Sequence, residues 1–258
     1  MWSIWLISLD DKSVVIVGAK RVGQVLAKRF ANEGMRIAIA YRHSKIDAQN
    51  LLDEVIKTSP DSFILQVDIT SEDSVKNMIK EVEAKFGELN FAVNLASQYN
   101  YTPFESLDSS TWDENMADAK GSFLFAINVA EMMKNNLAPT KGHIMFFTDW
   151  AAGNTPYVGY LPYLTSKAAI DFMTRCLAVE LASHGILVNS IAPGPTERPP
   201  EIDKQTWTSG VIEKSPLRRE SSAEEMAELI ISLLKAETIT GETIRVDSGR
   251  HLAGPGID

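Results

Sequence analysis

A chain of 258 residues, 45% hydrophobic and without a Gly/Ser/Pro-rich linker, suits one large α/β domain or two small ones. A net charge of −9, with the basic residues scattered, argues against nucleic acid as a partner. The single cysteine, Cys176, can form no internal disulfide and fits a reducing cytoplasm, and no apolar run reaches the length of a membrane span.

Residues 1–10 are apolar but carry no basic leader and no small-residue cleavage site, so they read as a lead-in and not as a signal peptide. Strand patterns over 12–17, 35–41, 62–67, 89–95, 143–148, 186–191 and 243–246 alternate with helical patterns. The helices fall over 21–33, 46–57, about 71–86, 109–135, 161–184 and 223–235. Ser222 and Glu225 form a capping box at the start of the last helix. Strands apolar on both sides, each followed by a helix, predict a single-domain, doubly wound parallel sheet of about seven strands with helices on both faces, Rossmann-like. Such sheets take ligands beyond the carboxyl ends of their strands, at the switch point.

The residues that follow the strands carry the chemistry. Gly18 and Gly23 lie between the first strand and its helix, where a backbone free of Cβ atoms can approach a phosphate and the helix N-terminus supplies free N–H groups. The full G-x-G-x-x-G pattern is absent. No acid follows the second strand. Arg42, His43 and Ser44 stand there instead, and the Arg42 fork suits a ribose 2′-phosphate, with Lys20 and Arg21 of the glycine turn beside it. That favours NADP(H) over NAD(H). Asp68 follows the third strand and is placed to accept from an adenine amino group, or simply to shape a turn.

Tyr163 and Lys167 are four residues apart at the start of a helix and so share a face. An ammonium there is expected to lower the tyrosine pKa and let the phenol pass a proton to or from a reacting atom. Aromatic residues Tyr99, Tyr101, Trp150, Tyr157, Tyr160 and Trp207 sit in segments expected to face the same pocket, where rings can stack on a flat heterocycle or simply pack. His43, His143, His184 and His251 show no metal-ligand spacing, so no metal is expected. Cys176 reads as a small core residue and the Met132-Met133 pair as packing.

The glycine turn, Val67-Asp68, Asn94-Leu-Ala-Ser97, Tyr163-x-x-x-Lys167, Val188-Asn-Ser-Ile-Ala-Pro193-Gly194 and Ile239-Thr-Gly-Glu-Thr-Ile-Arg-Val-Asp247-Ser-Gly249 occur in the order seen in short-chain dehydrogenase/reductases, which the chain resembles over residues 11–252. The resemblance implies that Tyr163 is the general acid/base and that Lys167 tunes it and holds the nicotinamide ribose. It implies further that Asn94 and Ala96 line the adenosine ribose. Val22 joins the turn that holds the diphosphate. Pro193, Gly194 and Thr196 wrap the carboxamide and diphosphate, and residues 196–221 form a lid. The helices over 109–135 and 161–184 pair across a two-fold axis in this family, so a homodimer or homotetramer is expected.

Departures from the family pattern are Val17 before Gly18, Gln24 at the usual third glycine, Leu95 for a second asparagine, and Asp118 for an asparagine, with Asn115 one turn earlier. The family's serine on strand five is replaced in Phe146-Phe-Thr148-Asp149-Trp150. An ionised Asp149 only accepts hydrogen bonds, which suits a substrate presenting N–H groups, and this resembles the pteridine reductase and dihydromonapterin reductase branch. A shifted strand register would make Thr148 the hydroxyl donor and favour a ketone. The expected activity is NADPH-dependent reduction of a small molecule, a dihydropterin-like heterocycle in the first reading. A 3-oxoacyl thioester or other ketone is the alternative substrate, and a non-catalytic NADP(H) sensor is the alternative class.

Overall fold

The computed structural model describes residues 6–137, 139–153, 155–198 and 202–253; the start of the lead-in, residues 1–5, lies outside them. The strands are β1 (Ser13–Val17), β2 (Arg36–Tyr41), β3 (Phe63–Gln66), β4 (Phe91–Asn94), β5 (Gly142–Phe147), β6 (Ile186–Pro193) and β7 (Thr243–Val246). The helices are α1 (Val22–Asn32), α2 (Lys45–Val55), α3 (Glu72–Phe86), α4 (Ser109–Met133), α5 (Leu161–Ala182), α6 (Lys204–Trp207) and α7 (Ala223–Lys235). The strands form one parallel sheet in the order β3-β2-β1-β4-β5-β6-β7.

Alternation along each strand feeds two cores. Val15, Val17, Ala38 and Ala40 pack under α3, α4 and α5. Val14, Ile16, Ile37 and Ile39 pack under α1, α2 and α7. Full burial of a Val or Ile side chain contributes about 1.5–3 kcal/mol, so a strand buried on both faces is held far more firmly by packing than by its ladder. Helix ends obey local chemistry. Asp108 with Thr111, and Ser222 with Glu225, form capping boxes, Ser71 caps α3, and Gly87 at φ 74° ends that helix.

The chain reverses direction across the sheet between β1 and β4, where Val17 pairs with Asn94. β6 runs two residues past its predicted end because Gly194 N–H continues the ladder to the Val246 carbonyl at 2.9 Å. Two helical turns inside the expected lid, Lys204–Trp207 and Thr208–Ile212, were not foreseen; Asp203 caps the first. Cys176 is exposed and not a core residue. It lies on the outer face of α5 between exposed Phe172 and Val179, while Thr174, Ala178 and Leu181 face inward. Met132 and Met133 are buried packing residues.

Candidate active site

The glycine turn between β1 and α1 is built by steric necessity. A Cβ on Gly23 would lie 2.0 Å from the Gly18 carbonyl oxygen, and Gly18 itself has φ +116°. Arg21 takes φ 50°, a strained conformation for a residue with a side chain. No side chain caps α1; the Gly23 and Gln24 N–H groups donate to the Lys20 and Arg21 carbonyls at 2.9 and 3.1 Å, and Val22 is the first helical residue. These features fit a diphosphate.

The cations expected to meet a 2′-phosphate are present but already paired. Arg42 lies 2.9 Å from Asp68, Lys20 lies 3.0 Å from Asp47, and Arg21 lies 3.0 Å from Glu197. Burial works against ionised Asp68, but hydrogen bonds from Thr70 and the Arg42 charge hold its carboxyl below the usual range. Arg42, His43, Gln66, Val67, Asp68 and Ser74 line a hollow of about 270 Å³. Ser44 precedes α2 without capping it through its side chain. Asn94 is committed to structure: it accepts from Ala96 N–H at 3.0 Å and donates to Ser122 at 3.1 Å. Gly194 admits no side chain, since a Cβ there would lie 2.5 Å from Asp247 Cα, and Thr196 donates to the Gly194 carbonyl at 2.9 Å. The Pro193 carbonyl accepts from Trp150 N–H.

At the other end of the crevice, Tyr163, Lys167, Asp149 and Asp118 are all buried. Tyr163 donates to Asp149 Oδ2 at 2.9 Å, Tyr157 donates to the same oxygen at 3.4 Å, and Ala151 N–H donates to Oδ1 at 2.8 Å. Lys167 Nζ donates to the Phe147 carbonyl at 2.9 Å and lies 5.9 Å from the centre of the Tyr163 ring. Asp118 accepts from Gln98 N–H at 2.8 Å. Asn115 donates to the Thr111 carbonyl, while its own amide oxygen is buried without a partner.

Two expectations are corrected. Lys167 does not bring the Tyr163 pKa down in this structure. Burial, and then the Asp149 carboxylate bonded to the phenol, push it well above its ordinary value, while the ammonium is farther away and engaged with a carbonyl. Thr148 is not the hydroxyl donor either. It turns toward β6 and donates to the Ile191 carbonyl, leaving Asp149 facing Tyr163. Burial raises the Asp149 and Asp118 carboxyls and lowers the Lys167 ammonium. Lys167 and Asp118 do influence one another electrostatically, as expected from their positions.

Five of the six aromatic residues meet. Tyr99 stacks on Tyr160 at 4.5 Å and stands edge-on to Tyr163 at 4.9 Å; Trp150 stacks on Tyr157 at 5.8 Å; Tyr157 and Tyr101 stand edge-on to Tyr160. Trp207 makes no ring contact with them among the described residues; its indole N–H donates to Glu220 inside the lid segment. Sequence reasoning missed the second phenol on Asp149, Tyr157, because the segment joining them is neither helix nor strand and no period relates their side chains. His143 is buried and bonded to Asn189, and His251 to Asp247, while His43 and His184 are exposed. Among the described residues no group of three or more His, Cys, Asp or Glu side chains is placed to hold a metal, and no helix is long and apolar enough to cross a membrane.

This fold, with a tyrosine and lysine one helical turn apart beside a glycine turn, defines a nucleotide-dependent oxidoreductase. A family model described as Enoyl-(Acyl carrier protein) reductase matches residues 18–251. The 3-oxoacyl-[acyl-carrier-protein] reductase FabG of Staphylococcus epidermidis is 31% identical over 249 residues, covering 94% of this chain and 100% of that protein. Its counterpart from Staphylococcus aureus is 32% identical, covering 93% and 98%. Among solved structures, a short-chain type dehydrogenase/reductase from Mycobacterium marinum matches with TM-score 0.81 and 28% identity, covering 95% of this chain and 97% of that one. A Serratia marcescens short-chain dehydrogenase/reductase matches in fold with TM-score 0.85 at 24% identity, covering 95% and 100%. The chain belongs to the short-chain dehydrogenase/reductase family and is an NAD(P)(H)-dependent reductase acting on a small molecule, which leaves the sensor reading without support.

Proposed function

We propose that the protein reduces a carbonyl at the β-position of an acyl thioester, using NADPH. The curated relatives favour this substrate over the dihydropterin reading, since those matched at 31–32% identity are named as 3-oxoacyl-thioester reductases. The single structural observation that carries the chemistry is the convergence of Tyr163, Asp149 and Lys167 in one buried cluster at the carboxyl edge of β5. Bound NADPH would supply the hydride to the substrate carbon. Tyr163 gives its proton to the substrate oxygen, and its raised pKa keeps it protonated and ready to do so. Asp149 takes the place of the family's serine. Burial raises its carboxyl, while the Tyr163 and Tyr157 hydroxyls and the Ala151 N–H that it accepts act in the opposite direction and fix it beside the reacting phenol. Lys167 is the ribose-holding cation, and Asp118 anchors the Gln98 backbone beside the cluster.

Gly18, Gly23, Val22, Pro193, Gly194 and Thr196 would hold the diphosphate and carboxamide, and Asn94 and Ala96 the adenosine ribose. Arg42, with Lys20, Arg21, His43 and Ser44 around it, would select the 2′-phosphate, and Asp68 would turn to the adenine as Arg42 leaves it. Residues 196–221 would close over the substrate. The exposed apolar stripe Phe172, Cys176, Val179 on α5, with Trp112 and Phe123 on α4, supports pairing of two copies through these helices.

A second reading, a flat nitrogen heterocycle, keeps one favourable observation: the tyrosine rings stacked around Tyr160 beside an acceptor carboxylate. NADPH oxidation measured with acetoacetyl thioesters and with dihydropteridines separates the two. Thioester-dependent oxidation is expected. Turnover on dihydropteridines alone would replace the thioester proposal by the heterocycle.

A further inference from the structure

We infer that Arg250 is a positioning residue that joins the wall of the crevice to its cover. Its guanidinium holds the Trp150 ring and the C-terminal half of the lid segment in one place, and so sets how tightly substrate binds. This rests on the proposed reading of residues 196–221 as the cover over the substrate, and names the side chain that fixes it.

A tight turn delivers Arg250 to this place. Asp247, just past β7, accepts from Gly249 N–H at 3.0 Å through Oδ1, and through Oδ2 from His251 N–H at 2.8 Å and His251 Nδ1 at 2.7 Å. Ser248 at φ 54° and Gly249 at φ 77° reverse the backbone between them. Arg250 N–H then closes the turn on the Asp247 carbonyl at 2.9 Å.

The Arg250 side chain is only 7% exposed. A guanidinium is seldom shut away from water without partners. Its partners come from two distant segments. Nη1 donates to the Lys214 carbonyl at 2.8 Å, and the guanidinium carbon stands 5.4 Å from the centre of the Trp150 ring. Burial works against the ion and the Asp247 charge supports it; a guanidinium keeps its proton in such a setting.

Trp150 follows Asp149 directly. It packs with Tyr163 and Leu164 in a small cluster separate from the two cores, and stacks on Tyr157. Lys214 begins the part of the lid that is fastened to the same turn. Leu217 N–H donates to the Ser248 carbonyl at 3.1 Å, Pro216 packs against Gly249, and the Ser221 hydroxyl donates to the Val246 carbonyl at 2.6 Å. Arg250 ties this fastened segment to the Trp150 cluster. Among the described residues it bonds neither to Tyr163 or Asp149 nor to the glycine turn. Its loss should therefore show in substrate binding, and not in proton transfer or nucleotide binding.

The test is Arg250→Met, which keeps length and apolar bulk but removes the cation and the donor. With NADPH and a substrate that the wild type turns over, KM should rise about tenfold, while kcat stays within about threefold and NADPH affinity is unchanged. In Arg250→Ala, added guanidinium ion should bring KM back toward the wild-type value. Amide hydrogen exchange at Leu217, followed in the NADPH complex, should quicken about tenfold in Arg250→Met while the core amides of β5 keep their rates. Arg250→Lys keeps the charge without the planar fork, so its KM should lie about threefold above the wild type. An unchanged KM in Arg250→Met, a loss confined to kcat, a guanidinium titration without effect, or an unmoved Leu217 exchange would overturn the assignment. Should Arg250→Met not fold, Arg250→Lys decides, and a KM and Leu217 exchange rate equal to the wild type would then overturn it. A wild type that turns over no acyl thioester defeats the proposed substrate instead, and the Leu217 exchange still judges Arg250.

Discussion

The two ends of the crevice at the carboxyl edge of the sheet hold their charges in opposite ways. At the nucleotide end, Arg42, Lys20 and Arg21 each make a direct ion pair with an acid at the surface, with side chains roughly half to two-thirds exposed. Such pairs contribute about 0–1 kcal/mol and are screened by salt, so a phosphate can displace the acid at little cost. At the reducing end, Asp149, Lys167 and Tyr163 are shut away from water, and each is pinned by a hydrogen bond to backbone or to a neighbour. There the groups cannot re-pair without loss, and their ionisation is set by burial before it is set by charge. One end is built to exchange partners, the other to hold them.

The comparison breaks most visibly at the phenol. Tyr163→Phe should reduce kcat by about 10²–10⁴ while NADPH binding, followed by fluorescence titration, is retained. A variant that keeps its turnover would remove Tyr163 from the chemistry. Gly23→Ala tests the other end. Its new Cβ would meet the Gly18 carbonyl at 2.0 Å, so the turn must move, and NADPH affinity should fall at least tenfold while Tyr163 remains in place. Arg42→Gln should weaken NADPH about tenfold, leave NADH unaffected, and change thermal stability by less than about 1 kcal/mol, because the pair with Asp68 is exposed. Equal losses for both nucleotides would show that Arg42 reads no 2′-phosphate.

How far each end was legible beforehand follows the same division. The i,i+4 spacing of Tyr163 and Lys167 and the glycines between β1 and α1 are local patterns, and local patterns survive folding. The alternation of Val14, Val15, Ile16 and Val17 specified a strand buried on both faces, and both cores confirm it. Contacts between distant segments carry no such period. The direction of the Tyr163 pKa was misjudged because its partner, fourteen residues back, touches it only in the folded chain. The Arg42–Asp68 pair was missed for the same reason, although each residue had been assigned to the same ligand. Cys176 was placed in the core as a small residue inside a helix, whereas it lies on the exposed Phe172–Val179 stripe of α5.

A smaller effect extends the contrast to a buried histidine remote from both ends. Burial holds His143 neutral and pushes its pKa down to about 3. Its folded pKa lies below the unfolded value near 6.5, so its stabilising contribution is present above pH 6.5 and is lost as pH falls toward 3. Each pH unit in that window should cost about 1.4 kcal/mol, read as a falling midpoint in urea titrations. A flat profile from pH 6.5 to 4.5 would show that His143 is reached by water.

The most direct measurement is the pH dependence of NADPH-driven reduction in the wild type and in Asp149→Ser. If Asp149, and not Lys167, is the charge that adds to burial in setting the Tyr163 pKa, removing the carboxylate lowers it. The high-pH limb of kcat/KM should then move to lower pH. An unmoved limb, with activity retained, would contradict the central claim that this carboxylate, added to burial, raises the pKa of the proton donor.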